Sequence, residues 1–317
     1  MKYPRLASMI FNTPLMVRQD ALDMAVSWAD NAMGLNILGL SGATPRLAAA
    51  DGFYSEDGQD SATPDERLLT AARESGVYIL PVHGPIVSRS THMDMCTKMT
   101  SYESMRTQLN AALNDPAVIE IAFDIDTPGG SAAGMSDFAN EIYAARAIKP
   151  TTAIVNFSAY SAGYGIASAC GEIVVSNSSG VGSIGVIAQH ADLSQKLSAD
   201  GIKITAIYAG ARKNDLAATA PMTDEALAWL TNLVQNNYAE FTDLVARNRG
   251  MKVEAVRATE AGVYHGSAAI AAGLADRIEP PQAAINRIAA RVAARRAPQD
   301  IQSFSARAGA MNMQTRA

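Results

Sequence analysis

A chain of 317 residues that is 48% hydrophobic and 18% charged carries enough apolar material for a full α/β core, which excludes a disordered chain. Its formal net charge of −5 supplies no field of the kind that neutralises phosphates, so nucleic acid is not expected as a partner; only Arg287 to Arg296 is locally basic. Cys96 and Cys170 show no CxxC or Cys/His spacing, and His83, His92, His190 and His265 never fall at i, i+4, so no disulfide, no metal and no cofactor is expected.

The sequence opens Met1-Lys2-Tyr3-Pro4-Arg5, and the apolar stretch after it is broken by Asn12, Pro14, Arg18 and Asp20, which is no signal-peptide core. No run approaches the roughly 18 to 20 apolar residues that a bilayer requires. The expectation is a chain in a reducing cytoplasm with no visible secretion signal or membrane anchor. Residues 1–75 read as a small helical segment, with apolar positions around residues 21–33, followed by a Gly- and Asp-rich linker over residues 51–65.

The main domain, residues 76–280, begins at Val77-Tyr78-Ile79-Leu80-Pro81-Val82, a buried strand ended by His83-Gly84-Pro85. A helix over 102–113, a strand over 118–124, a helix over 133–147 and a strand over 152–156 follow. That alternation argues for an α/β fold of parallel βαβ units. Further strands are expected at 172–175, 183–187 and 204–208, then a long helix capped by Thr223, running to Arg249 and stopped by Gly250. A short helix ended by Gly273 and an edge strand close the domain. The Ala/Arg-rich tail, residues 281–317, reads as a helix followed by a flexible, disordered end.

Three Gly-rich turns fall where a parallel sheet places its C-terminal strand ends, the usual location of active sites. In Asp124-Ile125-Asp126-Thr127-Pro128-Gly129-Gly130 the paired glycines can present bare backbone N–H groups, as an oxyanion hole needs; an ordinary strand-to-helix turn is the alternative reading. In Ser158-Ala159-Tyr160-Ser161-Ala162-Gly163-Tyr164 a serine hydroxyl stands at a helix N-terminus, where a developing negative charge is favoured. Ser161 could equally be a plain N-cap, and Ser158 and Ser168 compete with it. Gly180-Val181-Gly182-Ser183-Ile184-Gly185 offers Ser183 as its one polar side chain. His83 and His190 lie in no recognisable triad context, whereas Lys213, in the loop 208–214 ahead of the long helix, is a candidate base. A lysine performs that role only where burial and positive neighbours favour the neutral amine; a solvated loop lysine is the alternative.

Taken together, these stretches resemble the signal peptide peptidase A (SppA) family of serine peptidases. The residues that carry the resemblance stand in the family's order: Val82-His83-Gly84-Pro85-Ile86, Asp126-Thr127-Pro128-Gly129-Gly130, Ser161-Ala162-Gly163-Tyr164, Gly182-Ser183-Ile184-Gly185-Val186 and the loop from Gly210 to Lys213. The opening Leu6-Ala7-Ser8-Met9-Ile10-Phe11-Asn12-Thr13-Pro14-Leu15-Met16 is similar to that of the family's phage branch, the lambda-type capsid assembly (prohead) proteases.

The resemblance implies a ClpP/crotonase-like fold and a Ser/Lys dyad, with Ser161 as nucleophile, Lys213 as base and Ser183 orienting the lysine amine. It further implies an oxyanion hole from Gly129 or Gly130 with Ala162; the family often has Gly-Gly after the serine, where this chain has Ala162-Gly163. The function it implies is head maturation, in which a homo-oligomeric enzyme cuts the scaffold and capsid proteins, and its own tail as a further candidate, within a procapsid in the host cytoplasm. A bacterial cytoplasmic SppA-like peptidase is the alternative among enzymes. A crotonase-like acyl-CoA binder or an inactive structural capsid component is the alternative outside peptidases.

Overall fold

A computed structural model of the chain describes residues 10–33, 63–89 and 100–296. In chain order the first elements are β1 (Leu15–Val17), α1 (Gln19–Met33), α2 (Pro64–Ser75), β2 (Val77–His83), β3 (Ile86–Val87), β4 (Thr100–Ser101) and α3 (Tyr102–Asn114). The middle of the chain forms β5 (Glu120–Thr127), β6 (Gly129–Ser131), α4 (Met135–Ala145), β7 (Thr151–Tyr160), α5 (Ala162–Ser168), β8 (Glu172–Val175) and β9 (Gly180–Gly182). The last third holds α6 (Ser194–Ala199), α7 (Asp224–Arg249), α8 (Val253–Arg257), β10 (Val263–His265), α9 (Gly266–Ala271), β11 (Arg277–Ile278) and α10 (Pro281–Arg296).

The α/β class with parallel βαβ units is what forms. β2, β5 and β7 run parallel and adjacent, linked through α3 and α4. The first half of β7 pairs with β8, and its last residues pair with β9, to which β10 adds antiparallel. Period-two alternation sorts the strands' side chains between two faces. Tyr78, Leu80, Val82, Phe123, Ile125 and Val155 point into the main core with Leu109, Phe138 and Phe241 from the helices. Val77, Ala122, Ile154 and Val174 point the other way, onto Ala284, Ile288 and Val292 of α10. With both faces covered, β5 is buried along almost its whole length, Asp124 and Asp126 being partly exposed.

The packed body therefore extends to Arg296, past the boundary that composition suggested at residue 280. The local basic run is also explained: Arg291 pairs with the buried Glu120, and Arg287 donates to Glu279 (2.9 Å) and Glu172 (3.2 Å). Long α7 matches expectation, with Thr223 Oγ1 accepting the Ala226 N–H (3.1 Å) and Gly250 closing the helix in the left-handed region. No helix among the described residues is long and apolar enough to cross a membrane. The linker at 51–62, the tail beyond 296, Cys96 and His92 lie outside the described residues.

Two expected strands do not form. Residues 183–187 make only an isolated bridge, Leu15 to Ile187, and residues 204–208 pair with nothing. The second stretch is apolar yet exposed, with Ile207 at 96% and Tyr208 at 53% exposure. Its hydrophobic signal is real, but a strand needs a neighbouring edge to satisfy its backbone, and no described edge of this chain lies beside it.

One ion pair that locks the rear of the sheet gives a stability prediction. Asp276 accepts from Arg249 at 2.6 and 2.9 Å and from the Ile173 N–H at 2.7 Å, tying the end of α7 to the β8 edge. Burial pushes the Asp276 carboxyl up, but the bonds from Arg249 and Ile173 outweigh it and hold the group below the usual carboxylate range. A depressed carboxyl contributes stability above its unfolded pKa of about 3.9 and loses it as pH falls through the lower folded value. The urea midpoint of Asp276→Asn should accordingly lie below wild type at neutral pH, with the gap closing as pH drops below about 4. A gap that stays constant down to about pH 2 would contradict this.

Candidate active site

The C-terminal end of β7 is bent toward the site by an irregularity in its pairing with β5. Ile125 pairs with Val155, but Thr127 pairs with Ala159, so the three residues 156–158 of β7 stand against Asp126 alone on β5. Such a bulge re-aims the strand beyond it. Two residues past Ala159 the chain turns into α5, and Ser161 makes that turn at φ 54, ψ −116, a sparsely populated conformation for a residue with a side chain. Surrounding bonds hold it there: the Ser161 N–H donates to Gly182 O (2.8 Å), and its carbonyl accepts from Gly165 N–H (3.0 Å). The residue is 1% exposed, and its hydroxyl donates to Gly185 O at 3.4 Å.

The Gly-Gly turn stands directly against this serine. At Gly129, held at φ 105, a Cβ would come within 2.1 Å of Met16 O and 3.0 Å of Ser161 Cβ. A Cβ on Gly130 would meet Ile86 O at 1.9 Å. Only glycine permits these approaches. Thr127, to which the sequence motif assigned no role, fixes the turn: its hydroxyl donates to Gly84 O (2.6 Å) and accepts from the Gly129 N–H (3.1 Å). The signal was present as the Thr-Pro-Gly-Gly run, whose threonine can bond two residues ahead.

The departure at Ala162-Gly163 also has a reason in packing. Ala162 is fully buried as the first residue of α5, so its N–H belongs to the helix's unpaired first turn. Gly163 is the position that must stay small, because a Cβ there would lie 2.3 Å from Thr127 Cγ2. Gly163→Ala should cost about 1–3 kcal/mol by overpacking. Because it displaces the threonine holding Gly129, activity should fall by about a hundredfold, beyond what the fold loses. A thermal melt alongside a kcat/KM measurement separates the two effects.

The competing serines are committed elsewhere. Ser158 Oγ donates to Asp126 Oδ1 (2.8 Å), and Ser168, inside α5, donates to Gly165 O (2.8 Å) and accepts from Asn248 (3.0 Å). His83 pairs with Asp124 (2.9 Å) and His190 with Asn12 (2.9 Å); neither is bonded to Ser161. Burial pushes the Cys170 thiol up, which removes it as a nucleophile. Ser183, half-buried at φ 54, sits between β9 and Gly185, whose N–H donates to its carbonyl (2.9 Å). Lys213 is exposed in a turn, its N–H donating to Gly210 O (3.0 Å), and among the described residues its amine makes no bond to Ser161. The structure thus gathers Ser161, Ala162, Gly129, Gly130 and Ser183, and leaves Lys213 on the surface.

Residues 143–295 match the model of Peptidase family S49. Over that stretch, close to half of the chain, the sequence is similar to Peptidase family S49. It is 34% identical over 277 residues to the capsid assembly protease C of Escherichia phage lambda, covering 87% of this chain and 63% of that protein. It is 38% identical over 204 residues to the head-tail preconnector protein GP5 of Enterobacteria phage P21, covering 64% of this chain and 41% of that protein. A putative signal peptide peptidase SppA of Enterococcus faecium is 26% identical over 216 residues, covering 68% of this chain and 63% of that protein. The chain thus spans less than two thirds of the length of these relatives.

Proposed function

We propose that this chain is a serine endopeptidase in which Ser161 attacks the scissile carbonyl and Lys213 takes its proton. The observation that carries the reading is the backbone of Ser161: a buried hydroxyl held at φ 54 between a strand end and a helix start, against a Gly-Gly turn. Such strain persists only where the surroundings over-determine it, and here it holds the serine Cβ against the turn. The N–H of Ala162 with that of Gly129 or Gly130 would stabilise the oxyanion, and Ser183 would orient the amine.

For Lys213 to act, its amine must come within hydrogen-bond reach of the serine oxygen. Its loop follows the exposed apolar stretch of Ile202, Ile204, Ile207 and Tyr208. Burying that stretch against another copy of the chain would seat the loop, so the active form in this reading is a homo-oligomer. The similarity to a phage capsid assembly protease and a phage head-tail preconnector protein supports a head-maturation role, with scaffold and capsid proteins, and the tail beyond Arg296, as substrates inside a procapsid.

A fluorophosphonate serine probe tests the reading on the assembled protein. Mass spectrometry should find the label on Ser161 alone. Absence of label on a chain that still assembles with capsid proteins would instead support an inert structural component.

A further inference from the structure

Residues 12–18 run between the Gly-Gly turn and the segment after Ser183, beside the nucleophile. β1 runs antiparallel to β6, with Met16 opposite Gly130 and Val17 opposite Gly129. On its other side the Leu15 N–H donates to Ile187 O (2.7 Å), and the Ile187 N–H donates back to Leu15 O (2.9 Å). The strand is therefore sandwiched between the Gly-Gly turn and the segment that follows Ser183. Arg18 N–H donates to Pro128 O (3.0 Å), and the Arg18 guanidinium lies 4.8 Å from the ring centre of Tyr160, the residue before Ser161. Met16 O and Ser161 Cβ both lie within 3.0 Å of the point where a Cβ on Gly129 would stand. The Met16 side chain, 1% exposed, is sunk into the main core.

The same segment reaches the turn after Lys213. Asn12, at φ 61, donates through its amide side chain to Leu216 O (3.0 Å), and its backbone N–H donates to Gln189 O (2.8 Å). One short stretch of chain thus touches the Gly-Gly turn, the segment after Ser183 and the lysine loop.

We propose that residues 12–18 are an autoinhibitory strap, which fills the groove an extended peptide substrate would occupy and ties down the lysine loop. This rests on Ser161 being the nucleophile. A substrate peptide takes the strap's place by strand addition, antiparallel to β6, with main-chain bonds to residues 129–131 and 187 and an apolar side chain where Met16 sits. The strap itself is held and not cut while the Lys213 amine is away from the serine, because the hydroxyl then has no acceptor for its proton other than Gly185 O. The apparent affinity for substrate is lowered by the fraction of chains with the strap out, so loosening the strap raises turnover at low substrate.

Leu15→Pro removes the N–H that donates to Ile187 and leaves the core side chains of the strap's neighbours in place. In the full chain, turnover of labelled casein should rise about tenfold, as for a strap seated nine-tenths of the time. The gain should vanish in Leu15→Pro with Ser161→Ala, and a synthetic peptide of residues 10–20 should inhibit Leu15→Pro competitively. Turnover at or below the parent's, in a variant with unchanged circular dichroism, overturns the strap. If the variant fails to fold, amide exchange in the parent decides: attaching a peptidyl phosphonate to Ser161 should speed exchange of the strap's own Leu15 and Arg18 amides, and unchanged exchange refutes displacement. Failure of the nucleophile reading looks different. A small fluorophosphonate would then label neither chain, while anisotropy would still show the 10–20 peptide binding the Leu15→Pro groove.

Discussion

Ser161→Ala is expected to abolish peptide-bond cleavage while the protein stays folded. The hydroxyl makes a single long bond, 3.4 Å to Gly185 O, so its removal costs the fold about 1 kcal/mol or less. The backbone conformation of the turn is fixed by the Gly182 and Gly165 bonds, which alanine keeps. Loss of a nucleophile that works with its base as one unit reduces kcat by about a millionfold in comparable serine enzymes. The contrast between an intact melting curve and vanished turnover is the diagnostic result. Cleavage retained above about a thousandth of the wild-type rate would remove Ser161 from the chemistry, since the oxyanion hole and binding alone leave far less.

Much of this site was legible in the sequence because its parts are local. A serine between an apolar run and small residues, paired glycines after a strand and Gly182-Ser183 after another each specify their own turn, and parallel strands gather those turns at one end of the sheet. The role of Thr127 was less visible, since its value lies in contacts with Gly84 and Gly163 that are distant in sequence. Met16 shows the same limit. Leu15-Met16-Val17 reads as three apolar residues, and nothing local says that they pair with residues 129–131 more than a hundred positions away.

The stretch at 204–208 failed in the opposite sense. Its composition is that of a buried strand, yet it stands in solvent with Ile207 almost fully exposed, because periodicity reports a face that needs covering and not the chain that covers it. The helical tail was underestimated for a related reason. Ala284, Ile288 and Val292 are small or widely spaced, and they suffice to cover the sheet because Ala122 and Val174 beneath them are small as well.

The uncovered stretch leads to the second large effect, at Lys213. Lys213→Ala should be as damaging as Ser161→Ala, and the two together no worse than either, because nucleophile and base act as a unit. Lys213→Arg should fail too, since a guanidinium keeps the charge but gives up no proton at working pH. The lysine is exposed and unbonded to the serine, so in the proposed reading the dyad is completed when its loop is seated against another copy. If that copy's serine is the one served, a Ser161→Ala chain still carries a working lysine and a Lys213→Ala chain a working serine. Mixed in equal amounts and reassembled, the two inactive variants should then recover about a quarter of wild-type activity, the share of sites that random pairing completes. Tyr208→Asp in both chains should abolish the recovery by charging the surface that seats the loop. No recovery on mixing, with assembly shown by light scattering, would mean that each lysine serves its own chain. Activity that survives Lys213→Ala but not His83→Ala would hand the role of base to the histidine paired with Asp124.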